Sequence, residues 1–335
     1  MRKVILMAAT CAALLPFSLL AKKSHSPQMV MPEFLEEGDT IAIISPASIP
    51  DSADVYGACE VLRSWGYVPV LGEHVLTEHG SFAGTIEQRL SDLNWAFVSP
   101  NVKAVMCSRG GYGAIQELLE LRPGFFADYP KWLIGYSDIS AIHAAMTTDK
   151  VMSIHGNMCA PLCPEQGNDA RSVTLRKLLR GELPKYEVPA DTLNQCGVAT
   201  GKLIGGNMAV LMDIACSDID VLQNEVDYIL FVEDVDESLQ SLNRMIYRMK
   251  AAGIFDRIKG LIVGQFANAP ANKDFNHINE VFHSVVKDYD FPVCYNFPVG
   301  HVEENFPQIE GARVTLTVNS EGATLEYHKL IFITR

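Results

Sequence analysis

The sequence predicts an α/β protein of two domains, the first a doubly wound, Rossmann-like parallel sheet and the second a β-rich α/β unit. Three observations carry this. Short, continuously apolar runs alternate with amphipathic stretches between Asp39 and Met146, the pattern of parallel strands covered by helices on both faces. Pro161, Pro164, Gly167, Gly181, Pro184 and Pro189 then interrupt it, and such turn formers mark a connection. Past Thr200 the apolar runs resume. The expected boundaries are a first domain over 33–165, a linker over 166–199 and a second domain over 200–335.

Ahead of these, Arg2 and Lys3 precede an apolar run over 4–20 that closes at Ala21, before Lys22 and Lys23. A basic start, an apolar stretch and a small residue describe a cleaved secretory signal over 1–21. An uncleaved membrane anchor is the alternative, because the run is nearly long enough to span a bilayer, but Pro16 and Ser18 weaken a spanning helix. Export to the periplasm is expected, with membrane contact only through this segment. Strands are expected over 40–45, 67–71, 102–107 and 132–135, with helices over 52–65, 85–98, 113–119 and 138–146. One helix over 171–179 falls in the linker. In the second domain, strands are expected over 226–232, 258–263 and 314–318 and helices over 241–252 and 278–287.

The 335 residues are 48% hydrophobic and 20% charged, an ordinary globular composition that excludes a disordered chain. The formal charge of −13 becomes −15 once Arg2 and Lys3 are removed, which excludes nucleic acid as a partner. Seven cysteines remain after Cys11; an odd count in a large exported domain argues against a disulfide framework. Cys107 and Cys294 sit in apolar runs and read as buried thiols. His155, Cys159 and Cys163 lack the spacing of a zinc site, so no metal and no cofactor are expected.

The run 131–140, Lys-Trp-Leu-Ile-Gly-Tyr-Ser-Asp-Ile-Ser, reads as a strand, a turn and a helix start. That places Ser137 at the carboxyl end of the sheet, where open α/β folds bind ligands. The local sequence fits a serine that caps the following helix, and it also fits a nucleophile with the amide of Asp138 available to an oxyanion. It is not the G-x-S-x-G elbow, since Ile139 stands at its second glycine. A glycine-rich turn, Ser108-Arg109-Gly110-Gly111-Tyr112-Gly113, follows another predicted strand and opens at the same edge. Glycines there let the backbone approach a substrate and donate amides. The turn lacks the lysine and hydroxyl of a P-loop and does not fit a dinucleotide fingerprint.

Taken together, Ser-Arg-Gly-Gly-Tyr-Gly-Ala at 108–114 and Ile-Gly-Tyr-Ser-Asp-Ile at 134–139 resemble the paired signatures of the LD-carboxypeptidase family, which includes microcin C self-immunity peptidases. The opening strand at 38–48 and Phe82-Ala83-Gly84-Thr85 with Arg89 are similar to that family as well. The resemblance runs from Gly38 to Val318. It implies a class I glutamine amidotransferase-like first domain and a swivelling second one, with Ser137 as nucleophile.

The same resemblance implies Glu233, at the end of the strand Tyr-Ile-Leu-Phe-Val-Glu-Asp, as the triad acid, and His301, in the Gly-His pair after Phe297, as the base. From the residues alone Glu233 also suits an edge charge, or a partner of Arg244 or Arg248. Amides of Gly111 and Asp138 are the expected oxyanion hole. Arg109, Gly110 and Asn207 are candidate substrate contacts, with Arg109 or Lys202 as a carboxylate anchor. The implied activity is removal of a terminal D-alanine from a murein tetrapeptide by a homodimer. Two rivals stand beside it: a hydrolase of peptidyl- or aminoacyl-nucleotide amides with the same triad, and a non-catalytic exported muropeptide-binding protein.

Overall fold

The computed structural model describes residues 28–330, so the signal segment expected over 1–21 lies outside the described residues. Two sheets organise the rest. In the first, β1 (Thr40–Ile44), β2 (Val68–Leu71), β3 (Val102–Cys107), β4 (Trp132–Gly135) and β5 (Ser153–His155) are parallel and lie in the order 2-1-3-4-5. This is a doubly wound order, whose loops at the carboxyl ends of the strands form the binding edge.

The continuous apolar runs resolve into two faces because side chains alternate along a strand. Ile41, Ile43, Met106, Ile134 and Ile154 pack with Val55, Leu62 and Leu175 from the helices Ser52–Ser64 and Ala170–Leu179. Ala42, Ile44, Val105 and Leu133 pack on the other side with Phe97 and Ile142 from Ile86–Val98 and Ser140–Thr148. Burying each large aliphatic side chain contributes about 1.5–3 kcal/mol, which is why apolar residues dominate these strands, with Lys103 an exposed exception in β3. Thr85 starts its helix through a capping box with Gln88, which uses two otherwise unpaired amides.

The second sheet holds β6 (Lys185–Pro189), β7 (Gly197–Asn207), β8 (Tyr228–Val235), β9 (Ile258–Ala267) and β10 (Val293–Cys294). After β11 (Gln308–Glu310) come β12 (Arg313–Asn319) and β13 (Gly322–Tyr327), and the order is 10-9-8-7-12-13-6. Strands β7 to β10 are parallel, while β12, β13 and β6 run antiparallel. The segment 166–199, read as linker, supplies the helix Ala170–Leu179 and also β6, whose Tyr186 and Val188 are buried. Strand β11 leaves the second domain and pairs antiparallel with β5 in the first sheet.

The two domains are docked closely. Ala141 and Ala144 of the first domain's helix Ser140–Thr148 lie in the core of the second. Lys150 from the first domain and Lys202 from the second both bind the buried carboxylate of Glu225.

Candidate active site

The chain leaves β4 at Gly135, passes Tyr136 in extended conformation and reaches Ser137 at φ +67° before one turn of 3-10 helix (Ser137–Ile139) and the helix Ser140–Thr148. A left-handed residue other than glycine costs roughly 1–2 kcal/mol, so the surroundings must hold it. The Gly135 carbonyl accepts the Gly156 N–H at 3.0 Å and lies 2.9 Å from Nε2 of His143. A β-carbon at Gly135 would come within 2.9 Å of the Ile139 side chain, so glycine is what lets the isoleucine close the turn. Ser137 makes no capping hydrogen bond. Its Oγ lies 2.9 Å from Nε2 of His301.

The glycine-rich turn after β3 meets the elbow directly. A β-carbon on Gly110 would lie 2.8 Å from Cβ and 3.0 Å from Oγ of Ser137. The turn is tied down by the Gly110 carbonyl, which accepts the Ser48 N–H at 3.1 Å, and by the Ala114 N–H, which donates to Oδ2 of Asp138 at 2.9 Å. Burial pushes the Asp138 carboxyl up to about 6. The backbone N–H groups of Gly111 and Asp138 donate to no acceptor among the described residues. Arg109 is exposed on the same turn and donates from Nη1 to the Ile49 carbonyl at 3.2 Å.

Strand β8 delivers Glu233, fully buried, and the turn after β10 delivers His301. Nδ1 of His301 lies 2.7 Å from Oε2 of Glu233, so Glu233 is paired to an imidazole and not to Arg244 or Arg248. Burial pulls the His301 pKa down, while the hydrogen bond and charge of Glu233 push it up, and the net result lies above the ordinary value. The turn is fixed by Asn305, whose Oδ1 accepts the Gly300 N–H at 2.9 Å, and by Arg171, which donates to the Glu303 carbonyl.

Asn207 pairs with Glu233 across β7 and β8, but its polar atoms are engaged inside the protein. Its N–H donates to Ser140 Oγ at 2.9 Å, its Nδ2 to Asp234 at 3.0 Å, and its Oδ1 accepts from the Val210 N–H at 3.1 Å. It caps the helix Met208–Asp213 and joins the domains. Lys202, one of the two suggested carboxylate anchors, is corrected by the register. It pairs with Tyr228 at the far end of β8, about 16 Å back from the strand ends, with its Nζ 2.6 Å from Glu225. Asn305 and His143 carry no sequence signal for this site. His143, buried and held near 4 by desolvation, braces the elbow carbonyl. No local pattern marks these residues.

A hydroxyl on a strained strand-to-helix turn, an imidazole in hydrogen-bond reach and a buried carboxylate on the imidazole's other nitrogen form the site of a serine hydrolase. Comparison with known proteins narrows the class. Residues 41–156 match the LD-carboxypeptidase N-terminal domain and residues 200–316 the LD-carboxypeptidase C-terminal domain. The chain belongs to the LD-carboxypeptidase family and is a serine-type carboxypeptidase. It is 30% identical to the murein tetrapeptide carboxypeptidase of Pseudomonas aeruginosa, over 79% of this chain and 89% of that one. Its fold matches the crystal structure of muramoyltetrapeptide carboxypeptidase from Oxalobacter formigenes with a TM-score of 0.78 at 24% identity, covering 88% of this chain and 100% of the other. The structure of MccF in complex with glutamyl sulfamoyl guanosine matches with a TM-score of 0.77 at 20% identity, covering 90% and 99%.

Proposed function

We propose that the protein releases the terminal D-alanine from murein tetrapeptides through an acyl-enzyme on Ser137. The observation that carries this is the unbroken hydrogen-bonded chain from Ser137 Oγ through His301 to Glu233. His301 Nε2 takes the hydroxyl proton as Oγ attacks the carbonyl carbon, and Glu233 fixes the tautomer and stabilises the imidazolium. The amides of Gly111 and Asp138 receive the oxyanion, which is worth about 2.7–4 kcal/mol per donor in related sites. The imidazolium then gives its proton to the departing D-alanine nitrogen, and water, activated by the same imidazole, hydrolyses the ester. In this reading Arg109, exposed beside Gly110, binds the carboxylate of the leaving residue as a charge-assisted pair. Export over the segment 1–21 completes the proposal and puts the substrate outside the cytoplasmic membrane.

The likeness in fold to MccF bound to glutamyl sulfamoyl guanosine favours one other reading, hydrolysis of an aminoacyl sulfamoyl nucleoside by the same three residues. The deciding experiment incubates wild type and Ser137→Ala with a disaccharide tetrapeptide and, separately, with glutamyl sulfamoyl guanosine. D-Alanine release by the wild type alone is expected. Turnover of the nucleoside and none of the peptide would replace the first reading with the second, and equal release by both proteins would remove Ser137 from the chemistry.

A further inference from the structure

Ser137 belongs to the first domain and Glu233 and His301 to the second, so catalysis depends on how the domains are set against each other. One edge of β7 sets them. Its pairing with β12 stops at Lys202, and the alternate N–H groups beyond that point on the same side, those of Leu203, Gly205 and Asn207, need other acceptors, because a buried unpaired amide is costly. Leu203 donates to the Ala312 carbonyl at 2.8 Å and Gly205 to Oε2 of Glu310 at 3.4 Å. Asn207 donates across the domain boundary, to Oγ of Ser140 at 2.9 Å.

Ser140 is fully buried. It reaches the strand because residue 206 is glycine: a β-carbon there would lie 2.4 Å from its Oγ. From Asn207 the route continues, since Nδ2 donates to Oδ1 of Asp234 at 3.0 Å. Backbone groups hold both oxygens of that buried carboxylate, with Oδ1 accepting the Val235 N–H and Oδ2 the Ala209 N–H, each at 2.9 Å. Asp234 directly follows Glu233 in β8, and Ser140 follows Ser137 by one turn of 3-10 helix. The nucleophile and the acid are therefore joined twice. One path runs through His301 and is broken and remade in every turnover; the other runs behind it through Ser140, Asn207 and Asp234, and no proton of the reaction passes along it.

We propose that Ser140 is a positioning residue: by accepting from the Asn207 N–H, its hydroxyl fixes the separation between the elbow bearing Ser137 and the strand end bearing Glu233, so that one imidazole spans both. The inference rests on Ser137, His301 and Glu233 as the reacting groups and deepens that reading. Without the link the two domain edges are free to part at this point, and a displacement near 1 Å at a reacting group lowers rates roughly a hundredfold.

The test needs no knowledge of the natural substrate. A fluorophosphonate probe labels an activated serine: Oγ bonds to phosphorus, fluoride leaves, and the hydroxyl proton passes to His301. The labelling rate constant kinact and the probe's binding constant KI are measured for wild type, Ser140→Ala, Ser140→Thr, Asn207→Ser, the double variant Ser140→Ala with Asn207→Ser, and Lys150→Ala. Mass spectrometry locates the adduct, and melting temperature reports the fold. Wild type is expected to label at Ser137, and Ser140→Ala to lower kinact roughly ten- to a hundredfold with KI little changed. Ser140→Thr keeps the acceptor and restores most of the rate. Asn207→Ser keeps an oxygen for the helix start but loses the bond to Asp234, so it also lowers kinact, and the double variant is no slower than the worse single one, as residues acting in one link require. Lys150→Ala removes a contact between the domains at the opposite end of β8; it lowers the melting temperature and leaves kinact unchanged. A wild-type kinact in folded Ser140→Ala overturns the proposal. So do slowings that multiply in the double variant, or an equal slowing in Lys150→Ala, which would make docking in general, and not this link, the cause. If Ser140→Ala does not fold, Asn207→Ser decides, and an unchanged kinact there is fatal. A wild type that never labels at Ser137 overturns the triad reading itself, a distinct result.

Discussion

Replacing Glu233 by glutamine keeps the shape of the side chain and removes its charge. The carboxylate is fully buried and 2.7 Å from Nδ1 of His301, so no water compensates for the loss. With charge centres about 4 Å apart and an effective dielectric near 20, attraction between carboxylate and imidazolium is about 4 kcal/mol. That attraction exists only when the imidazole is protonated, which is in the transition state, so kcat should fall about a thousandfold with little change in KM. A second signal has its own sign. In the wild type, burial lowers the His301 pKa and Glu233 more than offsets it, so activity is lost as pH falls through a value above the ordinary histidine one. In Glu233→Gln burial is opposed only by the smaller effects of Asp234 and Asp236, and the acid limb must move to lower pH while the plateau drops. The assay is D-alanine release from a tetrapeptide, with kcat followed against pH. A plateau within tenfold of wild type, or an acid limb that stays or moves upward, refutes the electrostatic role given to Glu233.

Two further outcomes follow from contacts at the elbow. Gly110→Ala puts a methyl group 2.8 Å from Cβ and 3.0 Å from Oγ of Ser137, so kcat should fall roughly a hundredfold as the nucleophile is displaced, with a melting temperature near that of wild type; unchanged kcat would show that the turn does not abut the hydroxyl. For Asp138→Asn the prediction concerns stability. The folded carboxyl titrates near 6 against an ordinary 3.8 because burial disfavours its charge, so wild-type stability is lost as pH rises from about 4 to about 6, by up to about 3 kcal/mol. Asparagine still offers an acceptor to the Ala114 N–H, so the variant should melt higher than wild type at pH 8 and equally at pH 4, measured by thermal unfolding across that range. A wild-type advantage at pH 8 would show that the charge is needed.

The strands 102–107 and 132–135 were legible to the residue, because a sheet covered on both faces writes its strands as mostly apolar runs, broken here only by Lys103. The turn after each could be placed at the binding edge for the same reason. Ser137 as a nucleophile was not decidable from its neighbours, since a capping serine and an elbow serine share a strand-turn-helix text, and the difference is a backbone angle of +67° that the sequence does not write. His301 was reached through family likeness, as nothing near it sets it apart from eight other histidines. Lys202 was misplaced because β7 runs for eleven residues; the glycines near its end sit at the binding edge while the lysine at its middle, five residues back, does not. Strand β11 went unseen because three residues, two of them polar, carry no periodicity. Such pairings are set by tertiary position and not by propensity.

That unnoticed strand changes what a domain boundary means in this protein. After β10 the chain passes His301 and then joins the first sheet beside β5 before returning to β12. The gene therefore cannot be cut at its apparent seam into two self-sufficient halves. A fragment ending near the proline-rich stretch would leave β5 as a bare edge, open to pairing with any strand it meets, and its complement would carry a stray strand with nowhere to lie. Synthesis has the same order: the first sheet waits with an unfinished side until nearly the whole chain has emerged, and the strand that finishes it follows directly on the segment bearing the base.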